Sequence, residues 1–282
     1  MSELYILLPV HNRRATTARF LACLKAQTYQ HYHLLLIDDG STDGTAELAR
    51  EEIAALTVLH GSGDWWWAGS LQQGIHWLRQ RKVVAEDVVL MINDDVTFEP
   101  SFLKQAVALL QTMPRTLLLA RALSAQTGLP LVSGVEADLK KWQFRPTESA
   151  DKINCLTTNG LFVRWGDLQQ IGGFHPRLLP HYNADYEFTL RAHHKGFDLR
   201  VSPELRLTWD EKTTGFHHFQ RMPFADFVRQ YFSKKSLGNP LYHSTFVLLV
   251  SPRLWIPVHL IRIWLGALLA VSRRALSVHE MK

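Results

Sequence analysis

The sequence predicts an α/β fold: a mostly parallel sheet of repeated βαβ units, followed by a basic, apolar helical region. Three observations predict it. Short apolar runs alternate with helix-patterned stretches over the first 125 residues. Polar clusters follow the first, second and fourth runs. The last quarter of the chain changes composition, combining long apolar stretches with excess positive charge.

The elements follow in order. Tyr5-Ile6-Leu7-Leu8-Pro9-Val10 is the first strand, and a helix is expected over about 15–27. Leu34-Leu35-Leu36-Ile37 is the second strand, ended by Asp38-Asp39-Gly40-Ser41, with a helix over 42–52. Thr57-Val58-Leu59 is the third, with a helix near 70–81, and Val88-Val89-Leu90-Met91-Ile92 is the fourth, with a helix over about 100–111. Continuous apolar runs between helices indicate parallel strands covered on both faces. Ligands of such sheets bind at the carboxyl ends of the strands. His11-Asn12-Arg13, Asp38-Asp39 and Asn93-Asp94-Asp95 all stand there. Runs at 117–120, 131–135 and 156–163 suggest further strands, and 184–195 reads as a helix stopped by Gly196. The expected division is a main domain over 1–211, split at about residue 125, and a helical region over 212–282.

Of 282 residues, 46% are hydrophobic and 20% charged, which argues against disorder. Two distant cysteines, Cys23 and Cys155, exclude a disulfide scaffold and a cysteine zinc site and suit a reducing cytoplasm. No basic segment followed by a long apolar core opens the chain, so no signal peptide is expected. The net charge of +5 is uneven: residues 1–211 sum to −3 and residues 212–282 to +8. A tail of that charge meets anions, in nucleic acid or at a membrane. Within it, 245–250 is apolar, Ser251-Pro252-Arg253 interrupts, and 254–270 is mostly apolar but contains Pro257, His259 and Arg262. A membrane span needs about 20 apolar residues, and this stretch reads as slightly too short. The expectation is an amphipathic helix on a membrane surface, flanked by Arg273 and Arg274. The alternative is a helix buried against the main domain or a second subunit.

Two motifs carry candidate chemistry. Adjacent carboxylates Asp38-Asp39 can accept hydrogen bonds from a nucleotide's base or ribose, while Asp-Gly-Ser is also ordinary turn chemistry. Asn93-Asp94-Asp95 offers oxygen ligands to Mg²⁺ or Mn²⁺, although a helix dipole also attracts acidic residues.

Taken together with their order, these motifs resemble family 2 glycosyltransferases of the GT-A fold. The set is Pro9-Val10-His11-Asn12-Arg13, Asp38-Asp39-Gly40-Ser41-Thr42-Asp43, Asn93-Asp94-Asp95, Asn159-Gly160-Leu161-Phe162-Val163-Arg164, Ile171-Gly172-Gly173-Phe174 and Leu179 through Phe188 with Arg191. The resemblance spans about residues 4–210 and is nearest to rhamnosyltransferase-like members. It implies a Rossmann-like nucleotide-binding half, an acceptor half, and an inverting transfer of sugar from a nucleotide to a glycan or lipid-linked acceptor. It implies dTDP-rhamnose or a UDP-hexose as donor, a cell-surface polysaccharide as product, and a cytoplasmic enzyme at the inner face of the membrane.

The resemblance also implies roles. Asp39 would bind the nucleobase with Asp38 beside it, lined by Pro9, His11, Asn12 and Arg13, with Asn93, Asp94 and Gly69 on the donor. Asp95 would hold the divalent cation. Asn93 replaces the usual first carboxylate, and Asp210 or His217 would stand in for a further ligand. Asp185 falls where the catalytic base lies, after Ala184 rather than a second carboxylate. Trp66, Trp67, Asn159, Gly160, His181, Tyr182 and Glu187 would line the acceptor side. Adjacent tryptophans cannot all face one way, so one of Trp65, Trp66 and Trp67 is expected to meet ligand. Two other classes compete. A nucleotidyltransferase acting on sugar phosphates would carry a Gly-rich first turn, absent from His11-Asn12-Arg13. In a nucleic-acid-binding module, acidic strand ends would repel phosphate. No nucleic-acid partner is expected, and the oligomeric state is left open.

Overall fold

β1 (Leu4–Val10) buries six of its seven residues and is an inner strand of an eight-stranded sheet. The computed structural model describes residues 2–131, 134–213, 223–234 and 236–279. β2 (Tyr32–Asp38), β3 (Leu56–His60) and β4 (Val88–Met91) lie parallel to β1 in the order β3-β2-β1-β4. The crossovers are α1 (Arg14–Lys25), α2 (Thr45–Glu52) and α3 (Trp66–Arg79). Both faces of β1, β2 and β4 are covered. Leu7, Leu35 and Met91 pack with Leu71 and Ile75 of α3, while Ile6, Leu34 and Leu90 pack with Phe20 and Leu24 of α1. That double burial is why the strands read as unbroken apolar runs.

Past β4 the sheet becomes mixed. β10 (Leu161–Arg164) pairs antiparallel with β4 and with β6 (Thr116–Ser124). β11 (Asp198–Trp209) runs parallel to β6 and antiparallel to the edge strand β5 (Val96–Phe98). α4 (Phe102–Thr112), α5 (Trp165–Ile171) and α6 (Ala184–His194) flank this half. A small sheet of β7 (Gly134–Asp138), β8 (Gln143–Thr147) and β9 (Cys155–Leu156) has the order β8-β7-β9.

Several boundaries differ from expectation for local reasons. α2 starts at Thr45, because the Asp43 carboxylate accepts the Thr45 N–H at 3.1 Å. α3 starts at Trp66 rather than near residue 70, because Asp39 from the neighbouring strand end receives the Trp65 and Trp66 N–H groups. The run at 156–163 is two strands, broken by a turn at Gly160 with φ +87°. The expected strand at 131–135 is β7, which begins at Gly134.

The C-terminal part contains α7 (Phe224–Tyr231), α8 (Pro240–Val250) and α9 (Ile256–His279). Asn239 caps α8 by accepting the Leu241 N–H at 3.0 Å, with Pro240 in the first helical position. The length expectation for the tail is corrected. The stretch Arg253–Leu276 is 24 residues, long and apolar enough by composition to cross a membrane. Serine, histidine and arginine at intervals had masked that continuity. α8 buries Phe246 and Val250 in the main core, and α9 buries His259 and Ala267. The outer side of α9 stays exposed.

Candidate active site at the carboxyl edge of the sheet

The loops after β1 and β2 clamp each other. His11 Nδ1–H donates to the Asp39 carbonyl at 2.6 Å. The Asn12 N–H donates to Ser41 Oγ at 2.9 Å, and Asn12 Oδ1 accepts the Thr42 N–H at 2.8 Å. Asp38 Oδ1 accepts the Ser41 N–H at 2.8 Å, and His60 Nδ1 stands 3.9 Å from its other oxygen. Pro9 lies on β1 beside Ile37.

Asp39 organises the next loop. Its Oδ1 accepts the Gly63 N–H at 2.8 Å, and its Oδ2 accepts those of Trp65 at 2.8 Å and Trp66 at 3.1 Å. The carboxylate thus caps α3 across the sheet edge, as a helix N-terminus favours. A Cβ at Gly61 would fall 2.5 Å from Asp39 Oδ1, so the backbone passes too close for any other residue.

At the end of β4 two buried carboxylates lie side by side. Arg13 Nε donates to Asp94 Oδ1 at 2.7 Å and Thr17 Oγ1 to Oδ2 at 2.8 Å, and an Arg13 nitrogen stands 3.5 Å from Asp95 Oδ2. Burial pushes the Asp94 carboxyl up to about 6, against the pull of Arg13. The Asp95 carbonyl accepts the Asp210 N–H at 2.9 Å, so the sheet register sets the backbones of these two expected ligands side by side. The Asp210 carboxylate is held by Gln126 Nε2 at 3.0 Å and by Arg19 at 3.4 Å. His217 lies outside the described residues. Among the described residues no three His, Cys, Asp or Glu side chains converge on one point.

The residues expected on the acceptor side are tied to this edge. Asn159 Oδ1 accepts the Asn93 N–H at 2.9 Å, and the Gly160 N–H donates to the Met91 carbonyl at 2.9 Å. Trp67 Nε1 donates to Thr158 Oγ1 at 3.0 Å, pinning α3 to the β9–β10 turn. The Ala68 N–H donates to the Pro180 carbonyl at 3.0 Å. The Trp66 ring faces His181 at 5.8 Å between centroids, and His181 packs on Tyr182 at 4.4 Å. Trp65 and Trp67 pack against the core. Trp65 also backs Gly69, where a Cβ would meet the Trp65 Cβ at 3.1 Å.

Asp185 lies in the first turn of α6, half-buried, behind Asn183 at φ +66°. Burial pushes its carboxyl up to about 6, although the Tyr186 N–H donates to it at 2.9 Å. The neighbouring Glu187 is buried, and both its oxygens are held by Arg191, at 2.7 and 3.0 Å. Arg191 also donates to the Ile171 and Gly173 carbonyls. Glu187 therefore braces the Gly172-Gly173 loop, and its oxygens do not point to solvent.

Some contributors carry no motif. Thr17, Gln72 and Thr158 hold Asp94, the Phe174 N–H and Trp67 respectively. Thr17 sits one helical turn after Arg13, which is the only sequence signal that could have found it. Gln72 and Thr158 give none.

A Rossmann-like parallel sheet continued by a mixed half is the architecture of the GT-A class of sugar-transferring enzymes. The chain belongs to glycosyl transferase family 2, whose model matches residues 5–156. It is a glycosyltransferase, which sets aside the nucleotidyltransferase alternative. It is 24% identical over 243 residues to the glycosyltransferase AglE of Haloferax volcanii, covering 80% of this chain and 70% of that one. The fold matches the crystal structure of S. aureus TarS with a TM-score of 0.59 and 17% identity, over 93% of this chain. This chain spans 54% of that TarS chain. It also matches the mannosyltransferase PcManGT of Pyrobaculum calidifontis, solved in complex with GDP-Man and Mn²⁺, with a TM-score of 0.55 and 14% identity. That match covers 99% of this chain and 80% of the other.

Proposed function

We propose that the chain transfers a sugar from a nucleotide-sugar donor to a glycan or lipid-linked acceptor, with inversion at the anomeric carbon. The observation that carries the reading is Asp185, a half-buried carboxyl raised to about 6 at the start of α6, four residues after His181, whose ring faces Trp66. A base with a pKa near working pH is suited to proton transfer. Asp185 takes the proton of the acceptor hydroxyl as its oxygen attacks the anomeric carbon. The bond to the nucleoside diphosphate breaks on the opposite side. Trp66, Asn159, Gly160, His181 and Tyr182 line the acceptor, Trp67 supports them from the core side through Thr158, and Glu187 acts as a positioning residue through Arg191.

The donor lies along the other loops. Pro9, His11, Asn12, Asp38 and Asp39 form the nucleobase end, Asp39 through the loop it holds as well as its own carboxylate. Arg13, Asn93 and Asp94 face the diphosphate, with Gly69 beneath the sugar. A divalent cation, Mg²⁺ or Mn²⁺, would be held on the protein side by Asp95 and Asp210. Such ions need only one or two protein carboxylates. The Arg13 charge beside Asp95 and the grip of Arg19 and Gln126 on Asp210 argue against a closed protein cage. Once bound, the cation would supply charge for the leaving diphosphate.

The reading extends to dTDP-rhamnose or a UDP-hexose as donor and to polysaccharide synthesis for the cell envelope, at the cytoplasmic face of a membrane. A thermal-shift screen of nucleoside diphosphates and nucleotide sugars, with and without Mn²⁺, tests it. A shift confined to thymidine nucleotides supports dTDP-rhamnose, and one confined to uridine nucleotides supports a UDP-hexose. No shift with any nucleotide contradicts the donor reading.

A further inference from the structure

The α8–α9 pair presents an uncovered apolar face. The inner ridge of α9 packs on the protein through buried His259 and Ala267, and His259 Nε2–H donates to the Leu139 carbonyl at 3.0 Å. On the opposite ridge, Val258, Ile261, Leu265 and Leu268 recur at three- and four-residue spacing, all exposed, Ile261 at 60%. That is the apolar stripe of an amphipathic helix, facing outward. In the turn between α8 and α9, Leu254 is 90% exposed. Only 11% of the most apolar window of Arg253–Leu276 is buried, which a core helix would not show. Arg253, Arg262 and Arg273 are exposed around the same face.

We propose that this face docks on the surface of an anionic lipid bilayer, with α9 lying in the plane of the interface and the Leu254 turn inserted. Charge complementarity selects the occupant. Arg253, Arg262 and Arg273 border the exposed apolar side chains, and apolar side chains flanked by arginine suit anionic headgroups over an acyl boundary. A second copy on this face would set arginine against arginine. A crossing helix would bring the packed inner ridge and the mid-helix Arg262 into hydrocarbon.

The docking deepens the proposed transfer and rests on it for its consequence at the acceptor. The pair is fixed to the helix carrying Asp185. Trp142 packs on Phe246 at 5.5 Å and on His259 at 4.8 Å between centroids. Phe144 contacts Phe246 at 5.9 Å and stacks on Tyr186, the residue after Asp185, at 5.5 Å. A bilayer under α9 thus stands in fixed register with the base, as a lipid-linked acceptor requires.

Sedimentation of the full chain with phosphatidylglycerol–phosphatidylcholine vesicles, and with phosphatidylcholine alone, tests the contact. The anionic vesicles are expected to carry the protein down, less so at high salt. Leu254→Glu with Leu265→Glu should cut partitioning at least about tenfold, since two exposed leucines lose their burial in lipid. Arg253→Gln with Arg262→Gln should cut it about tenfold on anionic vesicles alone. Failure to sediment overturns the proposal, as does unchanged partitioning of the leucine pair. So does a solution dimer that the leucine pair splits, or bound protein that resists alkaline extraction as a spanning helix would. Nucleotide-induced thermal shifts on the same samples keep the two readings apart. Vesicle binding without a nucleotide shift sinks the transfer reading alone, and a nucleotide shift without vesicle binding sinks the docking alone.

Discussion

Arg13 and Asp94 form a part-buried ion pair, with Arg13 Nε 2.7 Å from Asp94 Oδ1. The same guanidinium stands 3.5 Å from Asp95, so one side chain of the β1–α1 loop meets both carboxylates at the end of β4. It partly balances a pair that would otherwise repel itself, and it fixes that pair where a diphosphate and its cation would lie.

Arg13→Ala leaves Asp94 buried with Thr17 as its remaining side-chain donor. Because Arg13 is 28% exposed, the expected loss of stability is about 2–4 kcal/mol, below that of a fully buried pair. Urea unfolding measures it. An unchanged midpoint would show that the pair does not hold the site.

Asp39→Asn replaces two accepting oxygens with one, while three N–H groups still point at the side chain. At least one buried hydrogen bond is lost, for about 1–3 kcal/mol. Hydrogen exchange of the Gly63, Trp65 and Trp66 amides should speed up together. Protection at the wild-type level would contradict the capping role of Asp39.

Gly160→Ala meets two penalties. Its φ of +87° disfavours any side chain, and the new Cβ would lie 2.5 Å from Leu207 Cδ2. The expected cost is about 2–4 kcal/mol. A melting temperature equal to wild type would mean that the Asn159–Gly160 turn adapts freely.

Asp185 should couple stability to pH. Its folded pKa is raised from 3.8 to about 6, so between those values the folded state binds more protons than the unfolded chain. Its contribution falls as pH rises through that window, and the full penalty stands above about pH 6. Asp185→Asn carries no such penalty. The variant should therefore melt higher than wild type at pH 7.5, with the advantage gone near pH 4. For the wild-type enzyme, kcat/KM should climb through about pH 6 and level off. A variant that melts lower at pH 7.5 would contradict the burial of a strained carboxylate.

The first half of the fold was legible because its strands β1, β2 and β4 are buried on both faces. Leu34 to Ile37 and Val88 to Ile92 leave no other reading. β11 was less legible, since Pro203, Glu204 and a register shift between Ser202 and Arg206 break its alternation. The β7–β8 hairpin belongs to a small sheet with a largely exposed outer strand, and its sequence lacks the apolar run. In the site, each motif announced its position but not its partners. The Asp39 caps, the Arg13 clamp and the Glu187–Arg191 brace join residues far apart in the chain or taken for ligand contacts, and only three-dimensional packing brings them out. The exposed ridge of α9 was foreseen in kind, although its length was not.

The central claim is that Asp185 is the base of an inverting sugar transfer, and its most direct test is the transfer rate of Asp185→Asn beside its nucleotide affinity. Removing a general base costs about 10²–10⁴-fold in rate. The expected result is a loss of that size with nucleotide-induced thermal shifts unchanged. Transfer by Asp185→Asn at the wild-type rate, with donor binding intact, would contradict the account.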